Sequence, residues 1–237
     1  MAQVIGYPTR QSIKKDLSGL LIMLGMAVLT AALMFDPGAD VKSEILASLA
    51  VGAGIALVLV FVYSRINPMG FQRIVSPKTL ERNLSQDQAA ADALNGLDDD
   101  AYVFHGFILE LFRVEHLVIS RQGIFVISKV RKNGEIAEKN GVLYCGEDTL
   151  ETLTGNTWRI CHLISIVLKK YFKLELMPRP VLLVPEVNSG EIKESGGIAV
   201  LTNGELKKFI QDKPDCLDQE TAASFAAFVR KRYAAHK

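Results

Sequence analysis

Two runs of nineteen residues without a charged side chain, 17–35 and 45–63, occupy the N-terminal quarter of this 237-residue chain. A helix of that length reaches across a hydrocarbon core of roughly 30 Å, so each run predicts a membrane span. A signal peptide would carry a shorter apolar core and a small-residue cleavage site before soluble sequence; here a second apolar run follows almost at once. A buried core hairpin is the bland alternative, and the length of both runs speaks against it. The two spans predict a transmembrane helical hairpin over 17–63, and the lipid bilayer is the first expected partner.

Flanking charge orients the hairpin. Arg10, Lys14 and Lys15 precede the first run, and Arg65, Arg73, Lys78 and Arg82 follow the second. The connection 36–44, with Pro37 and Gly38, holds Lys42 against three acids. Basic residues stay on the cytoplasmic side, so the expectation is a multi-pass protein of the bacterial inner membrane with both termini cytoplasmic. Residues 1–16 are expected to form a cytoplasmic N-terminal segment ahead of the spans. Ser48, Gly52 and Ala56, with Ala50 and Gly54, give the second span a small-residue face, suited to packing on the first span or on a second copy as a homo-oligomer. Neither span contains an acidic, basic or histidine side chain, which argues against transport or proton relay within the hairpin.

Beyond the spans the composition changes. Residues 64–79, with Pro68, Gly70 and Pro77, predict a juxtamembrane linker, and 80–237 a cytoplasmic domain. Helical spacing runs over 80–97. Three segments rich in valine, isoleucine and aromatics, 101–111, 114–120 and 123–130, predict strands. A short strand is expected at 142–145, a helix at 156–172, strands at 181–184 and 198–201, and helices at 204–210 and 218–233. That order describes a mixed α/β domain of ordinary size. Cys145, Cys161 and Cys216 lack metal-ligand spacing and predict neither a zinc site nor a disulfide framework.

The centre of this domain reads Val114, Glu115, His116, Leu117 and then Gly123, Ile124, Phe125, Val126, Ile127. Those phrases resemble the NERD family, the nuclease-related domain, a relative of the PD-(D/E)xK nucleases, over roughly 84–210. The resemblance implies a restriction-endonuclease-like mixed sheet flanked by helices. It also implies site positions: Asp87 at the acid of the first helix, Glu115 at the acid of the second strand, Ser128 where the family has Glu, and Val130 where it has Lys. The family's Asn-Pro-x-x-Gln phrase survives only as Asn156.

These substitutions fall where the chemistry would sit. Such a nuclease holds magnesium with carboxylate oxygens and stabilises the phosphate with a nearby lysine. Serine removes an anionic ligand, and valine supplies neither charge nor donor. Because neighbouring strand residues point to opposite faces, Ser128 and Val130 are expected to face the former site and Lys129 to point away. No catalytic residue, metal or cofactor is therefore expected. The alternative is an active enzyme in which Glu115 and Asp87 hold magnesium and Glu110, Lys129, Arg131 or Glu135 has migrated into a missing role.

Nucleic acid is the weaker partner expectation. From Arg65 onward 23 bases oppose 22 acids, so no overall field draws phosphate. The basic cluster at Arg230, Lys231 and Arg232 suits DNA or anionic lipid head groups equally. The favoured expectation is a membrane-anchored, catalytically silent domain that docks a protein partner. Two spans with a cytoplasmic domain are also found among proteins of plasmid conjugation and of the exclusion of incoming plasmids, and this layout is similar to theirs.

Overall fold

A computed structural model describes residues 2–5, 41–66, 76–132, 134–186 and 191–234, together with Leu21, Gly25 and Val28. Two compact units divide the chain. The smaller contains helix α1 (Val41–Ile66) and the first turns of α2 (Pro77–Asn95). The larger contains β1 (Gln3–Ile5) and the described residues from Ser85 onward.

In the larger unit the strands are β2 (Tyr102–Leu109), β3 (Phe112–Ser120), β4 (Gly123–Lys129), β5 (Ile136–Lys139), β6 (Val142–Cys145), β7 (Asp148–Thr149), β8 (Arg179–Leu183), β9 (Glu194–Ser195) and β10 (Ile198–Leu201). The helices after α2 are α3 (Glu151–Val167), α4 (Asn203–Gln211) and α5 (Gln219–Val229). A mixed seven-stranded sheet has the order β1-β2-β3-β4-β8-β10-β9, with β1 parallel to β2, and β4, β8 and β10 parallel to one another. The fold is thus mixed α/β, as the sequence pattern implies.

Each face of the sheet is covered by helices. Ala90 and Leu94 of α2 and Leu206 and Ile210 of α4 pack on Val103, Val118, Phe125 and Ile127. On the opposite face Ile160, Cys161 and Ile164 of α3 and Ala222, Phe225 and Val229 of α5 pack on Phe104, Leu117, Ile124 and Val126. The three-stranded sheet β5-β6-β7 closes a third apolar cluster with Leu182, Val184, Ile198 and Val200.

Several boundaries differ from the sequence pattern. The N-terminal segment contributes a strand that the pattern did not mark, since Gln3–Ile5 pair in parallel with Tyr102, Val103 and Phe104 at the sheet edge. Helix α2 starts at Pro77, the first-turn position where a missing N–H costs nothing. Helix α3 starts five residues earlier than its apolar spacing suggests, at Glu151. Strand β8 takes in Pro180, opposite Val126, at the start of its pairing.

The first expected span, 17–35, falls outside the described residues except for Leu21, Gly25 and Val28, which are helical. The second expected span lies wholly within the 26-residue helix α1. The side chains at 41–46, 48, 49, 63 and 66 of that helix are outside the described residues. Among the described residues no helix is long and apolar enough to cross a membrane.

Candidate functional site

Residues 103–105, 116–118 and 125–129 build the site from three adjacent strands, and α2 lies over it. Along β4, Phe125 and Ile127 face α2 and α4, while Ile124 and Val126 face α3 and α5. Continuing that alternation, Lys129 belongs to the α2 face and Ser128 to the α3 face. The alternation expected for Ser128 and Lys129 is present, but Lys129 does not point away from the acids. Its Nζ lies 2.6 Å from Asp87 Oδ1, with the two side chains 9% and 8% exposed.

Glu115 completes the cluster at its rim. The ladder between β3 and β4 runs from Ser120↔Gly123 to His116↔Ile127. Beyond it the Glu115 carboxylate takes over, its Oε2 accepting the Lys129 backbone N–H at 2.7 Å. Its Oε1 accepts from Arg131 Nη2 at 2.9 Å, and that same Nη2 lies 3.8 Å from Asp87 Oδ1. Two carboxylates and two cations therefore meet in one neutral network.

Glu115 reaches this position because strand alternation breaks beside it. Phe104 and Phe107 both pack on the α3–α5 side, as do Val114 and Leu117, although each pair is three residues apart. Gly106, opposite this stretch, has φ 60, a conformation that glycine adopts without strain and that reverses the side-chain order. The kink falls at the centre of β2 and β3, next to the charged cluster.

Two histidines sit beneath the network. His105 and His116 pair across β2 and β3, both 4% exposed, with Nδ1 atoms 2.6 Å apart. One Nδ1 must carry the proton and the other accept it. Neither Nε2 has a hydrogen-bond partner among the described residues. Burial, and then the charge of Lys129, lowers His105 from 6.5 to about 4 and His116 well below 6.5. Both imidazoles are therefore neutral near pH 7.

Ser128 and Val130, which the sequence resemblance equates with an acid and a lysine, lie elsewhere. Ser128 Oγ meets Thr157 Oγ1 of α3 at 2.8 Å, in the protein interior. Thr157 donates its own proton to the Leu153 carbonyl, so Ser128 is the donor between the two hydroxyls. Val130 is 1% exposed in the apolar cluster with Ile136, Leu143, Cys145 and Leu182, and its N–H donates to the Leu183 carbonyl. The sheet thus separates Ser128 from Asp87, Lys129 and the histidines.

Of the groups proposed to migrate, Lys129 and Arg131 join Asp87 and Glu115, whereas Glu110 and Glu135 do not. Glu110 is on the β2–β3 turn with φ 54, where Tyr233 Oη approaches its carboxylate at 3.4 Å. Glu135 is exposed in the connection to β5. The sequence pattern did not single out the His105–His116 pair. Folding the β2–β3 hairpin about Glu110 and Leu111 would have found it, since that register sets residue 105 opposite 116.

The arrangement is poorly suited to magnesium. A hard cation needs several oxygen donors, and here both carboxylates already bond to Lys129 and Arg131. Among the described residues no three or more His, Cys, Asp or Glu side chains are grouped to hold a metal ion. Asn156 Oδ1 accepts from Arg159 within α3 and is not part of the cluster. Cys145, Cys161 and Cys216 form no disulfide, and burial pushes the Cys161 thiol up to about 12.

No family model, curated protein or solved structure matches the chain.

Proposed function

We propose that this chain is a membrane-anchored, NERD-like domain that does not cleave nucleic acid and instead docks a protein partner at the cytoplasmic face of a bacterial inner membrane. One observation carries the loss of cleavage. The positions that resemble the family's metal-ligating Glu and its Lys hold a buried hydroxyl bonded to Thr157 and an apolar side chain, while Asp87 and Glu115 are neutralised by Lys129 and Arg131. Binding magnesium there requires displacing two cations from two carboxylates, and among the described residues no third acid is grouped with them.

The membrane part of the reading rests on sequence and on α1. Residues 45–63 lack charge over a length matching a bilayer core, and in α1 Leu57, Val58 and Phe61 are 71%, 62% and 60% exposed. Large apolar side chains left on a helix surface favour a covering of lipid or protein. The uncharged run that carries these side chains is continuous in the sequence.

A second reading has its own observation. Asp87, Glu115, Lys129 and Arg131 come together, which is the set an active endonuclease with migrated groups would use. One assay separates the two. The full chain in lipid nanodiscs is incubated with single- and double-stranded DNA and RNA in magnesium or manganese. The docking reading expects no cleavage above that of a Glu115→Gln variant; metal-dependent cleavage abolished by Glu115→Gln would overturn it. Crosslinking of the membrane-embedded chain then tests docking, which fails if no protein is recovered reproducibly.

A further inference from the structure

The chain carries 27 bases and 26 acids, yet one corner of the larger unit is strongly basic. Helix α3 continues into a π-helical turn, Leu168–Phe172, and α5 into another, Arg230–Ala234. The second widened turn meets the β2–β3 hairpin through Tyr233, and the first packs against the end of α5 beside it. Tyr171 stacks near Phe228 at 5.2 Å, Arg232 lies over the rings of Tyr171 and Tyr233, and Tyr233 reaches Phe107 and Glu110. Across the three segments 108–113, 166–175 and 228–234, seven bases face two acids. One of those acids, Glu175, is taken by Lys169.

The same corner exposes aliphatic surface. Leu111, at the hairpin tip, is 94% exposed and Ile108 is 62% exposed. Isolated exposed leucines are ordinary. A hairpin tip that presents leucine to solvent, beside a turn that carries Arg230, Lys231 and Arg232, has the layout of a surface that enters the head-group region of a bilayer.

We propose that this corner docks on an anionic lipid surface, with Leu111 and Ile108 entering the interface and Lys170, Arg230 and Lys231 contacting head-group phosphates. Basic side chains near such a surface are drawn to it within a Debye length, and the aliphatic tip gains burial there. A nucleic acid would satisfy the same bases but would leave Leu111 in water, and this favours lipid. The inference is independent of any nuclease ancestry and of whether α1 spans the bilayer.

The test uses full-length Leu111→Trp protein with vesicles of phosphatidylcholine alone or mixed with phosphatidylglycerol, the acyl chains brominated to quench nearby indoles. Quenching of wild-type protein, which has Trp158, is subtracted. The expected result is about two-fold or more extra quenching in the anionic vesicles, lost in high salt and in Lys170→Gln/Arg230→Gln/Lys231→Gln protein. These three side chains are exposed, and retention of the native Trp158 emission confirms folding. Equal quenching in both lipids, no quenching, or binding of a DNA duplex through the three bases with Leu111→Trp unquenched would each overturn the proposal. Retention on neutral vesicles reads out the α1 anchor separately.

Discussion

Lys129 and Asp87 are joined through Nζ and Oδ1 at 2.6 Å beneath α2, in a pair that is almost fully buried. It fastens the end of β4 to the helix that covers it. Breaking such a pair from one side leaves an uncompensated buried charge, here a lysine beside two neutral histidines. Asp87→Ala is expected to destabilise the domain by about 3–5 kcal/mol, and Asp87→Leu/Lys129→Met to recover most of that loss. Denaturant unfolding of the two variants, followed by Trp158 fluorescence, checks both. A double variant no more stable than Asp87→Ala would show that the pair does not account for the loss.

The two histidines predict a definite acid response. His105 has its folded pKa lowered from 6.5 to about 4, and His116 is lowered well below 6.5 in the same direction. The unfolded chain therefore takes up protons before the folded one as pH falls. Stability is full above about pH 6.5 and declines toward pH 4, by an amount on the order of 3 kcal/mol for His105. Unfolding midpoints measured across that window should fall for the wild type and fall less for His105→Gln. A flat profile from 6.5 to 4 would mean that these imidazoles are not buried neutral.

Ser128 and Val130 are two residues apart, but truncating the first and placing a lysine at the second should have different costs. Ser128→Ala removes one hydrogen bond and leaves Thr157 bonded to the Leu153 carbonyl, so about 1 kcal/mol is expected. Val130→Lys forces an ammonium among Ile136, Leu143 and Leu182, and should cost several kcal/mol, at least about 3. Thermal unfolding distinguishes the two. A stable Val130→Lys protein would indicate that this position opens to solvent.

Strand and helix positions in the centre of the domain were legible because their periodicity is strong: 114–120 and 123–130 fall on β3 and β4 to within two residues. What was not legible depended on contacts far apart in sequence. Gln3–Ile5 are too short a run to mark a strand by themselves and become β1 because the edge of β2 is available. The expectation that Lys129 points away from the acids assumed regular alternation on every strand. It failed because α2 brings Asp87 to the Lys129 face and the break beside Gly106 turns Glu115 toward the end of β4. Isolated residue spacing cannot reveal which helix covers which face.

Three glycines provide a graded test of the backbone. Gly155 lies in α3 with nothing within 4 Å of the point where a Cβ would stand, so Gly155→Ala removes only the flexibility of the unfolded chain and should stabilise by up to about 1 kcal/mol. Gly141, in the β5–β6 turn, is equally open but has φ 77, and alanine there should destabilise by about 1 kcal/mol. Gly134 combines both penalties: φ is 125, and a Cβ would come 2.5 Å from the Gly146 Cα and 2.6 Å from its N. Those are backbone atoms held by the Gly146 N–H to Glu135 carbonyl bond at 3.0 Å, so the neighbour cannot swing aside as a side chain would. Gly134→Ala is therefore expected to be the most damaging of the three, displacing the β5–β6–β7 sheet from Val130 and Leu182. Melting temperatures should rank Gly155→Ala above wild type, then Gly141→Ala, then Gly134→Ala; Gly134→Ala melting with the wild type would refute the close approach of the two loops.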